Sequence, residues 1–244
     1  MQLIPGIHAI NLLLRYQPER IIEIFIAQNT KNPKIELISA EAQAQGISIQ
    51  ILNPGKMDHL LNNINHQGIA ARCRPLKTFT EHDLTQLIKK SISTPLFLIL
   101  DNIQDPHNLG ACLRSANASG VTAVIIPKDR SAQLTPLVHK IASGAADFTP
   151  VVVVTNLARA LKKLQEEGIF IIGLAGEASS SLFSLDLSMP LGLVLGSEEN
   201  GLRRLTREYC DELAYLPMQG VVSSLNVSVA AGISLFEALR QRTR

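Results

Sequence analysis

LFLILDNIQDPHNLGACLRSANASGVTAVII, residues 96–126, decides how the rest of the chain is read. It opens on five apolar residues, Leu96 to Leu100, and closes on a second apolar run, Val121 to Ile126. Continuous runs of this kind, unlike alternating ones, belong to strands buried on both faces of a parallel sheet. Downstream the alternation continues. Thr135 and Pro136 form an N-cap and first-turn pair before a helix ending near Gly144. Val151–Val154 is a strand, and Asn156 caps a helix whose Leu157, Leu161 and Leu164 share one face, with Gly168 as its stop. Ile169–Leu174, Leu191–Leu195 and Glu212–Leu216 complete the strands, and Leu225–Gln241 makes a final helix. This pattern predicts an α/β fold, a parallel sheet with helices on both faces.

Upstream lies a smaller α/β unit, residues 1–72. Leu12 to Leu14 sit in a helical stretch, Ile21–Ala27 reads as a buried strand, and Lys34–Gln45 has helical composition up to Gly46. Ile47, Ile49 and Ile51 alternate as a strand should, and Gln67–Cys73 is a further strand. The apolar pattern lapses at RCRPLKTFT, so residues 73–93 are read as a linker and connecting helix (Glu81 to Ser91), leaving 94–244 as the second domain.

The 244 residues are 46% hydrophobic and 18% charged, which excludes a disordered chain. No apolar run reaches the roughly 18 residues of a membrane span, and the N-terminus lacks a basic signal-peptide region, so no membrane partner and a cytoplasmic location are expected. Three dispersed cysteines without C-x-x-C spacing argue against a disulfide framework or zinc site. With no Trp and 4% aromatics, base-stacking platforms are excluded. A net charge of +2 is compatible with nucleic acid without arguing for it.

In parallel sheets ligands collect at the carboxyl ends of strands, and three loops there carry the chemistry. The first, DNIQDPHNLG, has Asn108 as the expected N-cap and leads to Arg114. An arginine in a helix is commonly solvated, but this helix is otherwise small and apolar. His107 has no second histidine at ligand spacing, so no metal is expected. The second, Gly196-Ser197-Glu198-Glu199-Asn200-Gly201, has the glycine spacing of a phosphate-binding loop. Leu202 and Arg203 replace its Lys and Ser/Thr, however, and two carboxylates would repel a phosphate. Glu198 and Glu199 can be a helix-start pair favoured by the dipole, the preferred reading for Glu199. The third, PMQGVVSSLNVS, offers Ser223 or Ser224 as an N-cap before a helix containing Ala230, Ala231 and Gly232. Those small residues would admit another backbone, which points to a dimer contact.

DPHNLGACLRSA, GSEENG and PMQGVVSSLNVSVAAGI resemble, in order and spacing, the three motifs of the SpoU/TrmH family of RNA ribose 2'-O-methyltransferases. The IPGIHAINLLL start and the small first unit resemble the branch acting on a guanosine of 23S rRNA, whose N-terminal domain is similar to a small RNA-binding ribosomal protein. The resemblance implies a trefoil-knotted domain, S-adenosylmethionine as cofactor, no metal, and a homodimer. It implies that Asn108, Arg114, Glu198, Ser224 and Asn226 are catalytic and that Gly196, Leu216 and Leu225 bind the cofactor. For Arg114 it implies a base role; an arginine is normally a permanent cation, so a phosphate clamp is an equal reading. Two alternatives stay open: the same reaction on tRNA, and a non-catalytic RNA-binding assembly factor.

Overall fold

The computed structural model describes residues 1–197 and 200–243. In chain order the elements are β1 (Gln2–Pro5), α1 (Ile7–Tyr16), β2 (Ile21–Ala27), α2 (Pro33–Ala44), β3 (Ser48–Leu52), α3 (Pro54–Leu60), β4 (Ile69–Cys73), β5 (Phe79–Thr80), α4 (Leu84–Lys89), β6 (Leu96–Asp101), α5 (Pro106–Ala118), β7 (Ala123–Pro127), α6 (Pro136–Ile141) and α7 (Ala145–Phe148). They continue with β8 (Val151–Val154), α8 (Leu157–Glu166), β9 (Phe170–Leu174), β10 (Ser180–Ser181), β11 (Leu191–Gly196), α9 (Arg204–Glu208), β12 (Glu212–Tyr215) and α10 (Val227–Arg242). Two compact units result: Met1–Lys77 with Leu134–Phe148, and Thr78–Gln133 with Thr149–Arg244.

The first unit is a four-stranded sheet in the order β1-β4-β2-β3, with β4 antiparallel to both neighbours and β3 parallel to β2. Ile10, Leu13 and Leu14 of α1 join Ile24, Ile38 and Ile69 in its core. The sequence pattern ran the second domain unbroken from residue 94, but Leu134–Phe148 belongs to the first unit. Its anchor is a buried polar chain. The Gln2 amide meets His139 Nε2 at 2.5 Å, His139 Nδ1 lies 3.0 Å from Asp147 Oδ2, and Arg20 reaches Asp147 Oδ1 at 3.1 Å. Gly144, at φ +89°, lets α1 approach closely; a Cβ there would lie 3.0 Å from Ala9 Cα. None of these pairings leaves a periodic mark in the sequence.

The second unit is an eight-stranded sheet, β10-β12-β9-β11-β6-β7-β8-β5, in which every neighbouring pair is parallel. All six residues of β6 are buried, as a doubly covered strand requires. Leu157, Leu161 and Leu164 of α8 are buried along one face, with the Asn156 side chain accepting from Arg159 N. Because all strands run one way, their carboxyl ends form one edge, where the three loops emerge. Ala231 is fully buried, and Gly232 faces Ser115 of α5, so they serve packing of α10 on α5 within the chain.

Candidate functional site

The loop after β6 starts its helix three residues earlier than expected. Asp105, followed by Pro106, is the N-cap of α5, its carboxylate accepting from His107 N at 2.8 Å. Aspartate before a first-turn proline is a strong start, because the proline has no amide to satisfy. Asn108 therefore lies inside the first turn, its side chain available for another partner. That partner is Asn226, whose Nδ2 donates to Asn108 Oδ1 at 2.9 Å. Asn226 also caps α10, accepting from Ser228 N at 2.9 Å. Ser223 and Ser224 are thus not the cap; both are exposed.

The loop after β11 is shaped by glycine. A Cβ on Gly196 would stand 2.0 Å from the Gly201 carbonyl carbon and 2.1 Å from its oxygen, so only glycine admits the returning chain. The return is pinned by Ser197 N donating to Gly201 O at 3.1 Å and Gly201 N to Ser197 O at 2.9 Å. Gly201 holds φ +60°, which suits glycine. Glu198 and Glu199 lie outside the described residues.

Between the loop after β11, the one after β12 and the turn after β9 opens a cavity of about 350 Å³. Gly196, Leu216, Ser224 and Leu225, four of the expected site residues, line it. Leu174 and Leu195 extend its apolar wall, and Ser197, Asn200 and Ser223 supply polar groups. Among the described lining residues the charged ones are Arg207 and Glu177, paired with each other; the hydrogen bond from Arg207 holds the Glu177 carboxyl below its ordinary range. Such a lining suits a flat, partly apolar ligand held by backbone groups better than a polyphosphate. It therefore fits an adenosyl cofactor: leucines for the heterocycle and a glycine-cleared backbone at Gly196.

A second cavity of about 210 Å³ shares Ser197, Asn200 and Val227 with the first and is lined by Asn102, Gln104 and Asn108. Asn102, at φ +66°, carries a buried Oδ1 without a hydrogen-bond partner among the described residues. Asn108 thus lines the second cavity, and its partner Asn226 lies in the chain between Leu225, which lines the first, and Val227, which lines both. Arg114 is exposed on α5 and lines neither of them.

Sequence reasoning missed the Leu174–Glu177 turn after β9 and the ion pair of Asp101 with Arg203. Their position at the carboxyl ends of β9 and β6 was the available signal. Asp101 is fully buried and accepts from Arg203 N at 3.0 Å and Arg203 Nε at 2.5 Å. Among the described residues no cluster of three or more His, Cys, Asp or Glu is placed to hold a metal ion, and no helix is long and apolar enough to cross a membrane.

A parallel sheet whose carboxyl edge gathers the three loops around two adjoining cavities agrees with the family comparison. Residues 95–236 match the SpoU rRNA Methylase family, and residues 3–79 match the RNA 2'-O ribose methyltransferase substrate binding family. The chain belongs to the SpoU rRNA methylase family. It is 51% identical over 237 residues to the 23S rRNA (guanosine-2'-O-)-methyltransferase RlmB of Shewanella oneidensis, covering 97% of this chain and 96% of that one. To the protein of the same name from Escherichia coli strain K12 it is 51% identical over 242 residues, covering 99% of both. The fold matches that of the SpoU methyltransferase AviRb from Streptomyces viridochromogenes, solved in complex with AdoMet. There the TM-score is 0.79 at 22% identity, covering 99% of this chain and 90% of that one.

Proposed function

We propose that this protein transfers a methyl group from S-adenosylmethionine to the ribose 2'-hydroxyl of a guanosine in 23S rRNA. The observation carrying the proposal is the convergence of the loops after β11 and β12 on one cavity that adjoins a second, lined by Asn108 of the loop after β6 and sharing Ser197, Asn200 and Val227 with the first. Near full-length likeness to relatives named for that reaction supports the substrate. A guanosine in the peptidyl-transferase loop is the target we infer from the family resemblance.

When bound, S-adenosylmethionine supplies an electrophilic methyl on a cationic sulfur, without need of a metal. Leu195, Leu216 and Leu225 would enclose its adenine, and the backbone at Gly196 and Gly201 would approach it closely. The protein's part is to hold the ribose oxygen in line, which removes much of the entropic barrier. Asn108, held by Asn226, and Ser224 would orient the ribose; Glu198 is assigned with them on the resemblance. Arg114, as a permanent cation with a planar fork, would clamp the phosphate beside the target and polarise the ribose hydroxyl, whose proton would pass to that phosphate as the methyl leaves sulfur for oxygen.

Arg114 lines neither cavity of its own chain, which favours a homodimer in which a second copy completes the site. Val229, Ile233 and Phe236 leave an exposed apolar stripe on α10 for that contact, at 49%, 36% and 49% exposure. The knotted path belongs to the same proposal; α10, which returns to pack on α5 and β11, supports it. The first unit would grip the rRNA, and a cytoplasmic location follows from that substrate.

The test is transfer of tritiated methyl to 23S rRNA and to tRNA, with mapping of the modified ribose. Arg114→Ala should abolish transfer while cofactor affinity, read by calorimetry, stays within a few fold. Transfer to tRNA alone would overturn the rRNA reading, and wild-type rates in Arg114→Ala would overturn the role of Arg114.

A further inference from the structure

Across the carboxyl edge of the large sheet, the cofactor cavity occupies the ends of β9, β11 and β12, and the Asn108 loop follows β6. The next two strands along the same edge, β7 and β8, carry a separate cavity of about 590 Å³ that neither the motifs nor the proposed mechanism uses. Three arginines line it, Arg130, Arg203 and Arg204, against one acid, Asp129. We propose that this cavity binds a backbone phosphate of the substrate RNA next to the target nucleotide. The proposal rests on the reading of the protein as an RNA methyltransferase.

Arg203 and Arg130 are presented in a way that suits an anion, and Arg204 adds a third positive charge. Arg203 is oriented from beneath, because buried Asp101 holds its backbone N and its Nε. That leaves the two terminal nitrogens of the fork without a hydrogen-bond partner among the described residues. Arg204 is exposed and, among the described residues, pairs along its own helix with Glu208. Arg130 is exposed and forms no ion pair among the described residues. Its backbone sits at φ +56°, a conformation costly for a residue with a Cβ. The loop is nonetheless fixed there, because the Gln133 amide donates to the carbonyls of Pro127, Lys128 and Ser131 at 3.1–3.2 Å. A planar guanidinium fork binds phosphate oxygens in pairs, so two or three converging forks make a phosphate seat rather than a general basic surface. Leu157 and Ala158, in the first turn of α8, also line the cavity, adding the positive end of a ten-residue helix.

Position selects the ligand. Neighbouring strands lie about 4.8 Å apart, so the ends of β7 and β8 are about 5–10 Å from the end of β6. That is a span of a few nucleotides. A strand crossing the edge with its target ribose near Asn108 would carry a neighbouring phosphate over this cavity. Contacts of that kind fix register and orientation without reading sequence. The cavity would thus set which ribose reaches the cofactor, while base identity is read elsewhere.

The experiment uses the full chain with Arg130→Ala, Arg204→Ala and the double variant, both side chains being exposed and outside the core. RNA affinity is measured on a 23S rRNA fragment as a function of salt, together with steady-state transfer and cofactor calorimetry. The double variant should lose about 1.4 from the slope of log affinity against log salt, about 0.7 for each single-strand phosphate contact removed. KM for the RNA should rise about tenfold with kcat nearly unchanged and cofactor affinity intact. Unchanged RNA affinity and slope in the double variant would overturn the proposal, and inorganic phosphate binding to the wild type alongside that result would indicate a free-anion site instead. A wild type that binds RNA but methylates none would defeat the functional reading, while the salt slopes would still decide the cavity.

Discussion

Replacing Gly196 by alanine is the sharpest perturbation the site offers. The added Cβ would stand 2.0 Å from Gly201 C, 2.1 Å from Gly201 O and 2.4 Å from Leu202 N, all backbone atoms that no rotamer change can move aside. Ordinary Cβ contacts begin near 3.4 Å, so the two chain segments must part by about 1.4 Å, the difference 3.4 − 2.0. That displacement breaks the paired hydrogen bonds between Ser197 and Gly201, each worth about 1 kcal/mol. It also shifts the wall of the proposed cofactor cavity, since Gly196, Ser197 and Gly201 all line it. Overpacking costs about 1–3 kcal/mol, and a 1 Å misplacement in a site costs about a hundredfold in rate. We therefore expect S-adenosylmethionine affinity to fall about 10–100-fold by calorimetry, and the melting temperature by several degrees. Gly220→Ala is the control, because a Cβ there meets nothing within 4 Å. Cofactor affinity in Gly196→Ala within twofold of the wild type would refute the reasoning that this close approach shapes the site.

Three further outcomes are expected. Asp101→Ala removes the buried partner of Arg203, and because Arg203 keeps 44% of its side-chain surface exposed the loss should sit at the lower end for broken buried pairs, about 3 kcal/mol in denaturant melts; an unchanged midpoint would contradict this. Burial pushes the thiols of Cys73, Cys112 and Cys210 from 9.0 up to about 12, so at pH 8 all three should resist a thiol reagent until the protein is unfolded. The neutral thiols favour the folded state fully below pH 9, and that contribution fades as pH rises from 9 toward 12; rapid labelling of the native protein at pH 8 would count against it. Phe236→Asp places a charge in the exposed stripe of α10 and should shift a sedimenting dimer to monomer, with loss of transfer; an active monomeric wild type would end that argument.

How far the sequence went is clearest at particular residues. LFLIL and its sister runs identify the parallel sheet because a strand covered on both faces must be apolar throughout, and the observed β6 is buried at all six positions. The leucines of α8 likewise name their own buried face. The three loops were found because their motifs are short and contiguous, and four of the residues they nominate, Gly196, Leu216, Ser224 and Leu225, line one cavity. Composition and spacing are local properties, and they determine what is local: which segments are strands, where helices stop, which loops hold polar groups at strand ends.

Pairings between distant residues were decided by the tertiary structure. Asn226 finds Asn108 across 118 positions, and Arg203 finds Asp101 across 102. Once Asp105 takes the cap of α5, the Asn108 side chain meets that of Asn226, which no helix-start rule could foresee. Residues 134–148 join the first unit through His139, Asp147 and Gly144, whose partners Gln2, Arg20 and Ala9 lie more than a hundred positions earlier. The physical reason is the same each time. A buried polar group or a close backbone approach is satisfied by whatever the fold brings within 3 Å, and no period along the chain records that distance.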